Sequence, residues 1–247
     1  MSAPLFFVDR QDLLAGDRVI VSGAEGRHAV TVARLHNGER VDLGDGAGLL
    51  VAGQVIRAQA PDLLEVQVLE RIIAPDPDPR LVVVQALPKG DRGELAVELL
   101  TEVGVDALVP WAAVRSIAQW RGDRGERSLH KWRDAARAAG KQSRRAHLPV
   151  VSSLATTGDV LRMVSSATAT VVLHEESTAA LTNWSPPARG EIVVVVGPEG
   201  GLTADEVSAF RAAGAEVRHL GPSVMRTSTA GAAASAVLLA ATGRWSL

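Results

Sequence analysis

Two short segments near the carboxyl end combine glycines with charged side chains in a pattern that favours ligand binding. The first is the loop Gly197–Gly201, which directly follows an apolar, strand-like run. Open α/β sheets bind ligands at the carboxyl ends of their strands. A phosphate-binding loop needs several free N–H donors, whereas Pro198 removes a donor and Glu199 adds a negative charge. The loop therefore favours a neutral or cationic ligand, such as a sulfonium-bearing adenosyl group; the alternative is a tight turn whose glycines only permit positive φ.

The second segment, 219–230, ends a strand, forms a loop and starts a helix. Arg226 lies just before the helix start, where the positive end of the helix dipole gives a cation no stabilisation. An anionic substrate would explain its presence. The helix that follows, 231–241, is lined with small residues. They indicate close packing within the chain, a homodimer face, or a chain crossing beneath the helix.

A third feature is the basic stretch between Trp111 and Pro149, which holds ten of the 26 lysines and arginines and only three acidic residues. Trp111, Trp120 and Trp132 are interleaved with these charges. Arginines neutralise phosphates and aromatic rings stack on bases, so the stretch predicts RNA contact; the alternative is a solvated helix face with its tryptophans in the core. Together with two residues after the first strand of the second half, the predicted RNA-binding residues are Lys89, Arg92, Arg121, Arg124, Lys131, Arg133, Arg144 and Arg145.

The composition predicts a globular, cytoplasmic protein. Hydrophobic residues make up 47% and charged residues 22% of the 247 residues, and this length favours two domains. The absence of cysteine excludes disulfides, thiolate metal sites and cysteine nucleophiles, and the six histidines form no pair at ligand spacing, so no metal is expected. The apolar runs are too short to cross a membrane, and residues 1–7 lack the basic and apolar segments of a secretory signal. Because the formal charge is only −2, a nucleic-acid site must come from local clustering.

The two halves of the chain have different apolar patterns. From Phe6 to Ile73, short apolar runs alternate with turn residues, which predicts a compact antiparallel sheet or barrel. Residues 74–79 contain three prolines, which oppose both helix and strand formation. We therefore predict a first domain at 1–73, a linker at 74–79 and a second domain at 80–247.

In the second half, strand-like runs alternate with helix-length segments, as in a parallel sheet with helical crossovers. One helix is well marked, because Thr203 and Glu206 have the spacing of a capping box and Gly214 provides a stop. The predicted strands are Leu81–Leu87, Ala107–Trp111, Pro149–Ser152, Ala169–His174, Ile192–Val196 and Glu216–Leu220.

The two glycine-bearing segments resemble the cofactor signature of the RsmE family, the uridine-N3 methyltransferases of 16S ribosomal RNA. The resemblance rests on Gly197–Thr203 and Leu220–Ala230. Further stretches agree in order and spacing, and these are Leu87–Arg92, Glu102–Val105, Lys131-Trp132 and Gln142–Arg145. The first half is similar to the PUA-like domain of the family at Phe6–Val8, His28 and Gly46.

The resemblance implies an α/β fold of the SPOUT superfamily, in which a trefoil-knotted parallel sheet with helices on both faces follows a small PUA-like β-barrel. It also implies a homodimer that acts on 16S ribosomal RNA, within the small ribosomal subunit, and binds S-adenosylmethionine. Three loops would hold this methyl donor, and their residues are Leu173, His174, Glu175, Gly197, Pro198, Glu199, Gly200, Gly201, Leu220, Gly221, Ser223, Val224, Met225 and Arg226. Two departures stand out, since Ser228 replaces the usual glutamate and Gly140-Lys141 replaces an acidic, alanine-rich lead.

The implied reaction sets requirements on the site. N3 of uracil carries a proton, so the enzyme needs a general base or a positive group that stabilises the uracil anion. Arg226 is the candidate stabiliser, and Glu199 is the candidate base, with Glu175 and His174 as further ones. Two alternatives are a SPOUT enzyme that methylates a ribose 2′-hydroxyl and a noncatalytic RNA-binding factor of ribosome assembly.

Overall fold

The computed structural model describes residues 3–246, so residues 1, 2 and 247 of the predicted domain ranges lie outside the described chain. The chain divides into two compact units. The first contains the residues up to Asp76 together with Gly140–Leu148, and the second contains Pro77–Ala139 and the residues from Pro149 onward. The division at Asp76 falls within the proline-rich segment. The segment Gly140–Leu148, however, was assigned to the second domain by its position in the sequence.

The first unit is built on a five-stranded sheet with the order β1-β3-β4-β5-β2. Three of its strand pairs are antiparallel, as the apolar pattern predicts, and the pair β1 with β3 is parallel. Alternate residues of these strands, such as Val41 and Leu43, are fully buried in one core. The elements are β1 Leu5–Phe7, α1 Arg10–Leu14, β2 Arg18–Val21, α2 Gly23–Arg27, a π-helical turn His28–Val32, β3 Arg40–Gly44, β4 Leu49–Gln59 and β5 Leu63–Ile73.

Two glycines explain how Gly140–Leu148 packs in the first unit. A Cβ atom at Gly46 would lie 2.8 Å from Cδ1 of Leu148, and one at Gly48 would lie 2.6 Å from Cε1 of His147. The main chains then pair closely, because the N–H of Leu148 donates to the carbonyl of Gly46 at 2.8 Å. This segment is thus bound by tertiary contacts that its local sequence does not encode.

The second unit is built on a six-stranded parallel sheet with the order β11-β9-β10-β6-β7-β8. The chain starts in the middle of the sheet, at β6, and first runs outward through β7 and β8. It then continues on the other side of β6, so a switch point lies between the two halves of the sheet. The elements are β6 Arg80–Ala86, α3 Arg92–Val103, β7 Ala107–Trp111, α4 Gly122–Gln142, β8 Val150–Val151, α5 Thr157–Ser166, β9 Ala169–Leu173, β10 Glu191–Val196, α6 Ala204–Ala212, β11 Glu216–Arg218 and α7 Thr227–Ala241.

Helices cover both faces of this sheet. Leu81 and Val83 of β6 belong to a core that includes side chains of α3, α4 and α7. Their neighbours Val82 and Val84 belong to a second core with side chains of α5 and α6. Since successive strand residues point to opposite faces, the two cores lie on opposite sides. A fully buried parallel sheet of this kind reads as continuous valine-rich runs, which is why its strands were visible in the sequence.

Each predicted strand of the second unit is present; β7 has the predicted bounds, and the other five differ from the prediction at one or both ends. β8 is only Val150–Val151, and β11 ends at Arg218 because His219 forms a bridge with Ala180 instead. The capping box of α6 is also confirmed, since Thr203 and Glu206 each accept a hydrogen bond from the other's main chain. Helix α7 begins four residues earlier than predicted, at Thr227.

Candidate active site

The loops that follow β9, β10 and β11 converge at the carboxyl edge of the sheet and enclose a cavity of about 340 Å³. This volume is near the lower end of the range for small-molecule sites, roughly 300–1,000 Å³. The walls are the segments Leu173–Glu175, Val196–Leu202 without Gly200, and His219–Thr227, with Ala230 of α7 behind them. The site therefore lies where an open α/β sheet is expected to bind a ligand.

The structure brings together the residues that the sequence predicted for the methyl donor. All of them line the cavity except Gly200. Gly200 instead contributes to a second cavity, of about 680 Å³, and five residues line both cavities: His174, Glu175, Glu199, Gly201 and Leu202. The loop Gly197–Gly201 therefore lies between two cavities of the second unit.

The loop that ends at Gly201 is held in shape by hydrogen bonds at its carbonyl groups. The N–H of Gly201 donates to the carbonyl of Pro198 at 2.9 Å, which closes a turn. The hydroxyl of Thr227 donates to the carbonyl of Gly197 at 2.6 Å and accepts from Nε2 of Gln85 at 2.9 Å. Gln85 is fully buried in β6, so this chain of bonds ties the loop to the sheet and to α7.

A second wall of the cavity, formed by residues 220–225, leaves its peptide groups available. Residues 220–225 make no main-chain hydrogen bond to any other residue of the described chain. Val224 and Met225 on this wall are 78% and 44% exposed, whereas Leu202 is buried. A peptide group that is removed from water needs a partner, so the wall offers donors and acceptors to a ligand. An adenosyl compound could bind such peptide groups through its polar atoms and the apolar Leu202 through its ring. The negative charges of Glu175 and Glu199 disfavour a polyphosphate.

The charged side chains that line the cavity differ in whether they already have hydrogen-bond or ion-pair partners within the chain. Glu199 accepts a hydrogen bond from the main-chain N–H of Lys89 at 3.1 Å, and its carboxylate lies 3.9 Å from the guanidinium of Arg92. Within residues 3–246, the side chains of Glu175 and Arg226 make no hydrogen bond or ion pair. Glu175 and Arg226 are therefore the charges that remain available to a substrate.

His174 is restrained in a way that limits its use as a base. Its Nδ1 accepts a hydrogen bond from the main-chain N–H of Glu176 at 3.2 Å. The neutral ring then carries its proton on Nε2 and has no free lone pair. His174 therefore suits the role of a hydrogen-bond donor better than the role of a proton acceptor.

Sequence reasoning missed three residues that shape this site. Gln85 and Thr227 form the buried bond chain described above, and Arg115 donates from Nη1 to the carbonyls of Gly200 at 3.1 Å and Leu202 at 3.4 Å. A polar glutamine within the apolar run of β6 was a visible signal for the first. Arg115 gave no such signal, because its partners lie more than 80 residues away in sequence.

The predicted RNA-binding side chains are distributed over both units. Lys89 lies in the loop between β6 and α3, Arg92 is the first residue of α3, and Arg121 immediately precedes α4. Arg124, Lys131 and Arg133 are exposed on α4, whereas Arg144 and Arg145 belong to the segment of the first unit. Nε of Arg133 also donates to the carbonyl of Val151, and Lys131 lies 3.7 Å from Glu94.

The proposed base-stacking role of the tryptophans is wrong for two of them. Trp111 and Trp132 are 0% and 3% exposed, and Trp111 packs edge-on against Phe210. Trp120 is half-buried and packs edge-on against Trp132, with ring centroids 5.1 Å apart. Trp111 in β7 and Trp132 in α4 therefore pack in the hydrophobic core. Contact with RNA would depend on the basic side chains.

Two classes of feature are absent from the part of the chain that the structure describes. No three His, Asp or Glu side chains in residues 3–246 are placed to hold a metal ion. In the same range, no helix has the length and apolar character needed to cross a membrane.

Comparison with known proteins identifies the family. Residues 75–239 match the RNA methyltransferase domain family, and residues 21–69 match the RNA methyltransferase PUA domain family. The chain is 43% identical to ribosomal RNA small subunit methyltransferase E of Mycobacterium tuberculosis, over 99% of this chain and 94% of the relative. It is 26% identical to the protein of the same name from Bacillus subtilis, over 91% of each chain.

Solved structures agree with the sequence matches. The crystal structure of a ribosomal RNA small subunit methyltransferase E from Neisseria gonorrhoeae, bound to S-adenosylmethionine, superposes with a TM-score of 0.83. It is 25% identical and covers 97% of this chain and 98% of its own. On the extent of these matches, and on the cavity at the carboxyl edge of its parallel sheet, the chain belongs to the ribosomal RNA small subunit methyltransferase E family.

Proposed function

We propose that the protein transfers the methyl group of S-adenosylmethionine to N3 of a uridine in 16S ribosomal RNA. The observation that carries this proposal is the cavity formed by three loops. One of its walls presents peptide groups that make no hydrogen bond within residues 3–246, and Arg226, whose side chain has no partner in the same range, also lines it. The names of the relatives support a small-subunit ribosomal RNA substrate. The bound donor in the Neisseria gonorrhoeae structure supports the cofactor.

The residues that would hold the donor are those of the three loops. Leu202, Leu220 and Ala230 offer an apolar surface to an adenine ring, and the free peptide groups of 220–225 offer hydrogen bonds to its edge. The bound donor supplies an electrophilic methyl group on a sulfonium; the lone pair of N3 forms the new C–N bond as the C–S bond breaks. Glu175 and Glu199 place negative charge near a cation of this kind.

The chain must also make N3 nucleophilic. Removal of the N3 proton leaves a negative charge that spreads to the two neighbouring uracil oxygens. Arg226 is the candidate to stabilise this charge, because its guanidinium lines the cavity and has no partner among the described residues. Of the candidate bases, Glu175 has a carboxylate with no partner in the part of the chain that the structure describes, whereas Glu199 is engaged with Lys89 and Arg92. The target base has to be unstacked to reach these groups.

The finer features of the fold belong to the same proposal. Helix α7 packs against β6, β10 and the 3₁₀ turn Leu181–Asn183. This packing supports the proposal that the carboxyl-terminal segment forms part of a trefoil knot, as in SPOUT enzymes. The five-stranded sheet of the first unit supports a PUA-like barrel that binds RNA. We also propose a homodimer, which acts in the cytoplasm on the small ribosomal subunit. Small buried residues of α7 pack within the chain, so they do not by themselves require a dimer.

The decisive experiment combines donor binding with mapping of the product. Calorimetry should show that the purified protein binds S-adenosylmethionine and neither ATP nor NAD. Mass spectrometry of 16S ribosomal RNA treated with enzyme and donor should place the methyl group on a uracil base. A methyl group on a ribose would instead identify a 2′-O-methyltransferase, and absence of donor binding would identify a noncatalytic RNA-binding factor.

A further inference from the structure

We call residues 197–201 the glycine loop. The segment after β7 contacts this loop through Arg115. We call residues 112–119 the β7 arm. Its N–H at Val114 donates to Oε1 of Glu206 at 2.9 Å. Glu206 is 3% exposed, and its other oxygen accepts from the N–H of Thr203 at 2.8 Å. One buried carboxylate thus caps α6 and anchors the β7 arm.

Arg115 extends from this anchored arm to the glycine loop. Its Nη1 donates to the carbonyl of Gly200 at 3.1 Å and to the carbonyl of Leu202 at 3.4 Å. Hydrogen bonds from a charged donor are stronger than those between neutral groups. The two bonds join the carbonyls on either side of Gly201, a residue that itself lines the donor cavity.

The close approach of the two segments depends on Gly200. A Cβ atom at this position would lie 3.1 Å from Cβ of Arg115 and 3.3 Å from its carbonyl oxygen. The arm and the loop are therefore in contact through their main chains as well as through the guanidinium. This contact gives a physical reason for the glycine that the donor cavity itself does not, because Gly200 does not line that cavity.

We propose that Arg115 is a positioning residue, which fixes the glycine loop in the shape that binds the methyl donor. The inference rests on the proposed function, since it concerns the same cavity. Arg115 lines the second cavity and not the donor cavity, so it acts through the loop. A loop that is already ordered binds its ligand without the entropic cost of ordering. Loss of Arg115 should therefore weaken donor binding and leave the chemical step unchanged.

The test measures donor affinity and turnover in Arg115→Ala, Arg115→Lys and Arg115→Gln. We expect the Kd for S-adenosylmethionine to rise about tenfold in Arg115→Ala, which corresponds to about 1.4 kcal/mol. KM for the donor should rise with it, whereas kcat at saturating donor should stay within about twofold of wild type. Lysine keeps a charged donor group and should restore part of the affinity, and Arg162→Ala, at an exposed arginine of α5, should bind the donor as wild type does.

Hydrogen exchange provides a second measurement that a general loss of stability would not reproduce. In Arg115→Ala without ligand, the amides of residues 199–202 should exchange faster, while those of β6 and β10 should keep their wild-type protection. If Arg115→Ala does not fold, the lysine and glutamine variants carry the same comparison.

The outcomes separate the two proposals. Wild-type donor affinity in every folded Arg115 variant would overturn the positioning role while the proposed function stands. A fall in kcat at saturating donor with unchanged Kd would also overturn it, because Arg115 would then act in catalysis. Absence of donor binding by the wild-type protein would instead reject the proposed function.

Discussion

Arg226 occupies a position where the protein itself gives its charge no stabilisation. It is the N-cap residue of α7, next to the positive end of the helix dipole, and within residues 3–246 its guanidinium has no acidic partner. Residues with a cap role are usually serine, threonine, aspartate or asparagine, because their side chains accept from the helix N–H groups. An arginine here points to a function in the cavity that it lines.

Replacement of Arg226 should therefore affect catalysis and spare the fold. We expect Arg226→Ala to lower kcat by a factor of about 100 to 1,000, as for the loss of one oxyanion-stabilising donor, with the Kd for S-adenosylmethionine within about threefold of wild type. Single-turnover methylation of 16S ribosomal RNA and calorimetry measure the two quantities. Arg226→Lys should recover part of the rate. Near-normal turnover of the alanine variant would remove Arg226 from the mechanism.

Glu216, the first residue of β11, links the stability of the protein to pH. The side-chain hydrogen bond from Arg218 lowers the pKa of Glu216; burial acts in the opposite direction, and a bond from Nε1 of Trp184 at 2.9 Å lowers it further. Because the pKa in the folded state is lowered, the stabilisation is present above the ordinary carboxyl pKa and is lost as the pH falls through the lowered value.

Glu216→Gln should accordingly cost stability at neutral pH and little in acid. Half of the Glu216 side chain is exposed, so the difference should not exceed about 1 kcal/mol. Urea unfolding at about pH 7 and about pH 3.5, on either side of the ordinary glutamate pKa of about 4.3, measures it. Glu98→Gln, at an exposed position of α3, serves as the control. A difference that persisted unchanged at the lower pH would contradict the assignment.

Among the secondary-structure elements, α5 and α6 start in the same way and differ in what lies beside them. Each has a capping box, formed by Thr156 with Asp159 in α5 and by Thr203 with Glu206 in α6. Glu206 also accepts from the N–H of Val114, and α6 follows directly on the glycine loop. Among the residues that the structure describes, the carboxylate of Asp159 bonds only to Thr156 at the start of its own helix and to Arg162.

This contrast gives a matched pair of substitutions. Thr156→Ala and Thr203→Ala should each lower the free energy of unfolding by about 1 kcal/mol, the usual effect of losing a threonine cap. Thr203→Ala should also raise the donor Kd by about twofold to fivefold, because Glu206 and the adjoining loop lose a fixed partner. Equal donor affinity in the two variants would show that the cap of α6 serves stability alone. Thermal unfolding and calorimetry provide both readings.

At the scale of the whole molecule, the order of the strands assembles the site. β9, β10 and β11 are neighbours or next neighbours on one side of β6, so the loops at their carboxyl ends meet. The exposed basic side chains of α4 are carried by the same unit. Arg124, Arg127 and Lys131 follow the spacing of one helix face, while Trp132 on the other side of the helix is buried in the core.

This arrangement predicts that the basic face of α4 binds RNA phosphates. The triple variant Arg124→Ala, Arg127→Ala, Lys131→Ala should bind 16S ribosomal RNA more weakly. The slope of log K against log salt should become less steep by about two to three, at roughly 0.7 to 0.9 for each lost phosphate contact. Donor affinity should not change. The control is a triple variant in which alanine replaces three other exposed arginines of the same unit, Arg80, Arg162 and Arg189. If both triple variants weakened RNA binding equally, the effect would be a nonspecific response to the loss of charge.

The sequence by itself determined the parts that local patterns encode. Buried parallel strands read as apolar runs, and the capping box at Thr203 was visible because its two residues are three apart. The glycine loop and Arg226 could be related to a cavity because loops at the carboxyl edge of a parallel sheet share one place. The resemblance to a known family supplied the donor and the substrate, which spacing alone does not specify.

Only the tertiary structure decided which residues are partners across long stretches of chain. Arg115 meets Gly200, Gln85 meets Thr227, and 140–148 pairs with the first unit, none of which a local pattern reveals. The same holds for Trp111 and Trp132, whose burial follows from packing. Hydrogen bonds and close contacts between residues distant in sequence depend on how the helices and strands pack, so a local sequence pattern does not specify them.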